Sequence, residues 1–225
     1  MEYGRNIVVK GVGKASKRPD LIVINLDLDS FSKSYEKAMS IASEKLEELY
    51  TSLGGIGFER KDIKTVGFNV RTKNEYVKDK NGDSVLMFLG YVVEHSLKIS
   101  FDLDMKKLPE TLSVISTSKA KPRVDIAFTL KDDSEIKEEA LRNASINARK
   151  KAEILAITSG VKLGKLISID YSWKDIELYS DTKCYDSMPS ISKMASIDIE
   201  PDDIKAEDSV TFTWEIEVDD LSYDL

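Results

Sequence analysis

The residues that could do chemistry in this chain are few and scattered. The single histidine, His95, ends the strand-like run Gly90-Tyr91-Val92-Val93-Glu94-His95. One imidazole does not make a multi-histidine metal site, and no serine or cysteine nucleophile is marked beside it by spacing, so a cross-strand packing role is expected. The single cysteine, Cys184, is flanked by Asp181 and Asp186. Acidic neighbours oppose the thiolate, which argues against a redox-sensing thiol. Asp27 and Asp29 sit two apart on a strand and so share a face that could hold a hard cation. A solvated face of that strand, with Leu26 and Leu28 turned to the core, accounts for them as well.

Two loops imitate ligand sites and fail on spacing. Gly11-Val12-Gly13-Lys14-Ala15-Ser16 has the residue types of a phosphate loop, but the four residues between its glycines and the following helix are missing. It also lacks the third glycine of a dinucleotide fingerprint. Glycines there are expected to permit twist and close packing beside a hairpin. Asp79-Lys80-Asn81-Gly82-Asp83 places its glycine fourth, whereas a calcium loop needs it sixth with a Glu at position twelve; Asn-Gly between two strands is a hairpin signal. No catalytic, cofactor-binding or metal-ligating residue is therefore assigned. The one surface singled out is an aromatic group at Tyr171, Trp173, Tyr179 and Tyr185, which could cover a core edge or anchor a partner.

The elements that must position these residues follow from periodicity. Strands are expected at 6–14 and 20–30, joined as a hairpin through Ser16-Lys17-Arg18-Pro19-Asp20. A helix from about 32 to 53 presents Tyr35, Ala38, Ala42, Leu46, Leu49 and Leu53, with Gly54 as its C-terminal cap. Long strands at 62–77 and 84–102 follow. A short helix at 107–118 buries Leu108, Leu112 and Ile115, and a strand occupies 123–130. Then comes the strongest periodic signal in the chain. Ile136, Ala140, Ala144, Ala148, Ala152 and Ala156 recur every four residues, a stripe of small side chains that lets a backbone approach the helix closely. Asp132 with Glu135 resembles a capping box at its start. Strands are expected at 166–173 and 210–218, with 174–207 irregular.

In order, residues 20–130 read strand-helix-strand-strand-helix-strand, the split βαββαβ pattern of ferredoxin-like sheets. The expected fold is α+β with mostly antiparallel sheets. Within a single unit spanning 1–225, a lobe at 20–130 packs with a second α+β layer built from 1–19 and 131–225.

Composition excludes several classes. With 225 residues, 41% hydrophobic and 32% charged, the chain is long enough for a real core and is not a disordered segment. No run approaches the roughly 18 apolar residues of a membrane span, and the first residues lack the apolar core of a secretion signal. With one cysteine, these features point to the cytoplasm. The net charge of −7 is unevenly spread. Residues 170–225 hold 16 acids against four lysines, a balance of −12, which leaves 24 acids and 29 bases before them. An acidic end either is solvated or attracts the basic part of another copy. No basic stripe interleaved with aromatics marks a nucleic-acid surface.

These segments together resemble the SIMPL-domain family. The likeness runs from about residue 5 to 218. It is carried by Ile7-Val8-Val9-Lys10-Gly11-Val12-Gly13, Tyr35-Glu36-Lys37-Ala38, Gly55-Ile56, Asp62-Ile63-Lys64-Thr65, Gly90-Tyr91, the alanine-striped helix, Gly160-Val161-Lys162-Leu163-Gly164-Lys165 and the turn around Pro201. Two departures stand out. Many bacterial relatives carry a signal peptide, and relatives usually place a glycine in the stretch that here reads Ser116-Thr117-Ser118-Lys119-Ala120-Lys121. The resemblance implies an oligomer-forming protein linked to oxidative-stress protection. One relative builds a ring- or channel-like assembly, and an animal member interacts with a kinase. It carries over no catalytic residue. The expected function is thus a non-enzymatic homo-oligomer of the cytoplasm, with the acidic end and 174–207 as contact region, no cofactor, and no nucleic-acid or membrane partner. The alternative is a module binding a small ligand or protein partner in a groove between the lobes.

Overall fold

The computed structural model describes residues 5–78, 80, 83–171, 178–179, 184–185 and 200–217. It is α+β, with every strand pairing antiparallel and two compact units. One unit comprises Met1–Arg18, Leu130–Asp181 and Asp202–Leu225; the other comprises Pro19–Thr129 and Thr182–Pro201.

The first unit is built on β1 (Asn6–Lys17), α3 (Ser134–Thr158), β6 (Lys162–Asp170), β7 (Leu178–Tyr179) and β9 (Ile204–Glu217). Its sheet has the order β1-β9-β6, with β7 also on β9. The helix lies on this sheet through its small-residue stripe: Ile136, Ala140, Ala144, Ala148, Ala152 and Ala156 are all at most 2% exposed. Gly11 and Gly13 of β1 make the approach possible. A Cβ on Gly11 would stand 2.7 Å from the Ala148 Cβ and inside contact distance of the Ala144 carbonyl oxygen. One on Gly13 would collide with the Ala140 carbonyl oxygen and the Ala144 nitrogen. So the two glycines do serve close packing, though against a helix and not beside a hairpin.

A second ladder locks the same pair. Asn143 Nδ2 donates to the Lys14 carbonyl (2.9 Å), the Val12 N–H donates to Asn147 Oδ1 (3.1 Å), and Lys151 Nζ donates to the Lys10 carbonyl (3.2 Å). Helix positions four apart thereby serve strand positions two apart. The match is metric: four helical residues rise about 6 Å and two strand residues about 6.7 Å.

The second unit holds β2 (Leu21–Ser32), α1 (Tyr35–Gly54), β3 (Ile63–Lys78), β4 (Ser84–Asp102), α2 (Lys107–Thr117), β5 (Arg123–Thr129) and β8 (Cys184–Tyr185). Its sheet order is β3-β4-β2-β5-β8. Ile22, Ile24, Leu26 and Leu28 of β2 and Leu97 and Ile99 of β4 form a core with Leu49 and Leu53 of α1 and Leu108, Leu112 and Ile115 of α2. Alternation along β2 buries one face while Asp27 and Asp29 take the other, as their spacing predicts. Asp104 accepts the Lys106 and Lys107 N–H groups (2.8 and 3.1 Å) and starts α2; those bonds hold its carboxyl below the usual range.

Four local expectations fail. β1 and β2 do not form a hairpin, because β1 pairs with β9 along all twelve residues while β4 and β5 occupy both sides of β2. Gly54 is not a cap; it remains in α1, which closes at Gly55 in right-handed geometry, and the left-handed glycine is Gly57 at φ +88°. Asp132 makes no capping box, since its Oδ1 is used by the Ser134 N–H (2.9 Å) and hydroxyl (2.6 Å). Residues 204–207, expected to be irregular, lengthen β9 because β1 offers partners out to Lys17↔Ile204. The Asn81-Gly82 turn and most of 174–207 lie outside the described residues.

Lys121 is the described non-glycine residue with positive φ, at +48°. It falls in the loop where the family resemblance expects glycine. Left-handed backbone costs an L side chain about 1 kcal/mol, so Lys121→Gly is expected to stabilise the protein by about 0.5–1 kcal/mol in urea denaturation. Gly11→Ala is expected to cost about 3 kcal/mol in the same assay, because overpacking against a helix backbone has no side chain to yield.

Candidate interaction surface

The β3–β4 hairpin is longer than the sheet that holds it. β2 leaves β4 at Ser32↔Tyr91, while β3 and β4 stay paired through Lys73↔Gly90, Asn74↔Phe88, Glu75↔Met87, Tyr76↔Leu86, Val77↔Val85 and Lys78↔Ser84. Six pairs make a two-stranded ribbon about 20 Å long. A bulge at its root gives β4 an extra residue at Leu89, and Gly90 adopts φ +153°. A Cβ at Gly90 would stand 2.9 Å from the Ser32 carbonyl carbon, so glycine is needed both for the backbone angle and for the departing end of β2.

The β4 strand of the ribbon is apolar and exposed. Tyr76 is 71%, Leu86 52% and Phe88 50% accessible, and Val85 and Met87 on the opposite face are also exposed. Phe88 meets Tyr91 edge-on at 5.3 Å, and Tyr91 meets Tyr35 of α1 at 5.6 Å. Tyr76, Leu86, Phe88, Tyr91 and Tyr35 thus make one aromatic surface without a charge in it, the composition typical of interface centres. Edge strands of this kind pair with other chains unless something blocks them.

The aromatic group expected to form an interface is divided between the two sheets. Tyr171 follows β6, half-buried, with its hydroxyl donating to Asp208 Oδ2 (3.0 Å); burial and then that carboxylate push its pKa up. Tyr179 lies in β7 opposite Lys205, and Tyr185 lies in β8 opposite Asp125 of the other sheet. Trp173 is outside the described residues. The sequence places this hairpin without marking its surface as exposed, although Val85-Leu86-Met87-Phe88-Leu89 carries a signal: five apolar residues in succession cannot all face one core in a strand.

The side chain of Cys184 lies outside the described residues; His95, the Asp27/Asp29 pair and the Lys14–Ser16 stretch have structural partners. His95 is buried across from Leu28 and Phe68, and its Nε2 shares a hydrogen bond with Thr65 Oγ1 (2.9 Å). It meets Phe68 edge-on at 5.2 Å. Asp27 accepts from the Ser96 hydroxyl (2.5 Å), and Arg123 lies 3.9 Å from Asp27 and 3.6 Å from Asp29. Glu94 is held below the usual carboxylate range by its hydrogen bond from Arg71, then by Asn69. Lys14, Ser16, Glu139 and Lys205 line an open groove of about 410 Å³ in the first unit. Both lysines there are ion-paired, to Glu207 (3.1 Å) and Asp202 (3.0 Å).

The whole described fold answers to one family description. The SIMPL model, described as a protein of unknown function (DUF541), matches residues 7–214. The chain belongs to the SIMPL family. It is 28% identical over 163 residues to the 26 kDa periplasmic immunogenic protein of Brucella melitensis, covering 72% of this chain and 65% of that protein. The Brucella abortus protein of the same name is 27% identical over the same shares. The chain therefore spans just under two thirds of the length of these relatives. The uncharacterized protein YggE of Edwardsiella ictaluri is 22% identical over 193 residues, 86% of this chain and 79% of that one. This SIMPL chain has no helix, among its described residues, long and apolar enough to cross a membrane.

Burial lowers the pKa of His95 in the folded state. Above about pH 6.5 the imidazole is neutral folded and unfolded, and contributes no pH dependence. Below that, the unfolded chain binds the proton first, so stability falls as pH drops through the unfolded value and levels off below the folded one. Urea midpoints between pH 7.5 and 5 are expected to show this loss, and His95→Gln is expected to flatten it.

Proposed function

We propose that this chain is a non-enzymatic, self-assembling scaffold whose contact surface is the β3–β4 ribbon. The supporting observation is the ribbon itself: a projection whose β4 strand is uncharged from Ser84 to Gly90, with Phe88 and Tyr76 half or more exposed. A monomer gains nothing from that exposure, whereas an assembly buries it at roughly 25 cal/mol per Å². Among the titratable residues that sequence alone offers for catalysis, His95, Asp27 and Asp29 have partners within the fold, in the Thr65–His95 and Arg123–Asp27/Asp29 contacts. A stress-related role, implied by the family resemblance, would then be exercised through architecture.

Salt separates two routes to assembly. Head-to-tail attraction between the acidic end and the basic part weakens as salt screens it. Burial of the ribbon between chains of like net charge −7 strengthens instead. Light scattering is expected to give a molar mass above that of one chain, held or raised between 50 and 500 mM salt. Phe88→Ser with Tyr76→Ser is expected to reduce it at least twofold while leaving the circular dichroism unchanged. A single-chain mass at every concentration and salt overturns the reading and returns attention to the ligand-binding alternative, tested by thermal-shift screening. Cytoplasmic residence belongs to the same proposal. It rests on the single cysteine, while the Brucella relatives are named periplasmic, and fractionation of the native host decides it.

A further inference from the structure

Deepening that reading, we infer that two copies join through the free edge of β4, with Val85–Leu89 pairing antiparallel to the same segment of the second copy about a two-fold axis at Met87. Among the described residues, β4 has β3 on one side along this stretch and no strand on the other, since β2 has already left at Tyr91. In a strand with one neighbour, alternate residues aim both N–H and C=O at the open side, and those groups form a template for another strand.

The other long edges are blocked. The outward groups of β1 are taken at Lys10, Val12 and Lys14 by Lys151, Asn147 and Asn143 of α3. The outer edge of β3 carries Lys64, Arg71, Lys73, Glu75 and Lys78. β6 carries Lys162 and Lys165, and its register breaks twice. Charges and irregularities of this kind are how proteins protect edges. Between Ser84 and Phe88, β4 has no charge, no proline and no break in register; the bulge residue Leu89 ends the regular stretch.

What selects a second copy as occupant is self-complementarity. An antiparallel two-fold centred on Met87 sets Met87 opposite Met87, Leu86 opposite Phe88 and Val85 opposite Leu89, so apolar meets apolar at every position. The rows extend outward through β3. Tyr76 and Leu86 of one copy continue into Phe88 and Asn74 of the second, doubling the aromatic face. The nearest like charges in the central row are the two Glu75 carboxylates, separated by three strand spacings of about 4.8 Å, beyond the ~8 Å screening length at physiological salt. A closed two-fold contact also uses up the edge and does not propagate into a fibre.

Cysteine cross-linking of the full chain tests this. Directly opposed antiparallel residues have Cα atoms about 4.5–5.5 Å apart, within disulfide range. In a Cys184→Ser background, Met87→Cys is expected to give a reducible covalent dimer under mild oxidation, at least tenfold faster than Glu75→Cys. Leu86→Lys in the native chain is expected to halve the scattering mass or more, with its melting temperature within a few degrees. If Met87→Cys cross-links no faster than Glu75→Cys, or Leu86→Lys keeps its mass, while the native chain still assembles, the edge pairing is wrong and the scaffold reading survives. If the native chain is a monomer throughout, both fall.

Discussion

The constraint on which the first unit depends is the contact between a strand that has no side chains at two positions and a helix that has only methyls on one stripe. Gly11 and Gly13 bring β1 against the backbone of α3 at Ala140, Ala144 and Ala148. At that separation the helix's own side chains reach the strand's outer edge. Asn143, Asn147 and Lys151 then take the backbone groups that an edge strand leaves bare. Any larger residue in either stripe would lift the helix and uncouple both ladders at once. The near-equality of four helical rises and two strand rises keeps the two stripes in phase over three repeats.

The second unit is held by an ordinary aliphatic core between two helices and one sheet face, and its interest lies where that core ends. α1 and α2 cover β2 and the lower part of β4; the hairpin continues past them. At the root, the Leu89–Gly90 bulge and the tight passage of Ser32 turn β2 away and leave β4 with one neighbour. The molecule thus treats its edges unequally. One is closed by a helix, one is charged, and one apolar edge is presented to solvent.

His95, the Asp27/Asp29 pair and the glycines at 11 and 13 are absorbed by the fold for identifiable reasons. His95 falls on the buried face of β4 because its register partner Leu28 faces the core. Its polar atom finds Thr65, a residue thirty positions away. Asp27 and Asp29 share a face as their spacing requires, yet their neighbour is Arg123 from β5, which no local pattern links to them. The glycines of Gly11-Val12-Gly13 look like a ligand loop in sequence and act as a packing surface in space.

What the sequence by itself determined was whatever depends on neighbours along the chain. The period-four stripe from Ile136 to Ala156 names both a helix and its buried face. The alternation of β2 separates Leu26 and Leu28 from Asp27 and Asp29, and the order of strands and helices gives an α+β chain with two sheets' worth of material. Strand pairing was decided only in three dimensions. The short Ser16–Asp20 link reads as a hairpin turn, but β9, nearly two hundred residues later, presents twelve residues in register with β1 and wins. The exposure of Val85–Leu89 was likewise decided by where β2 stops. An apolar run is the same string of residues whether a neighbouring strand covers it or leaves it in water.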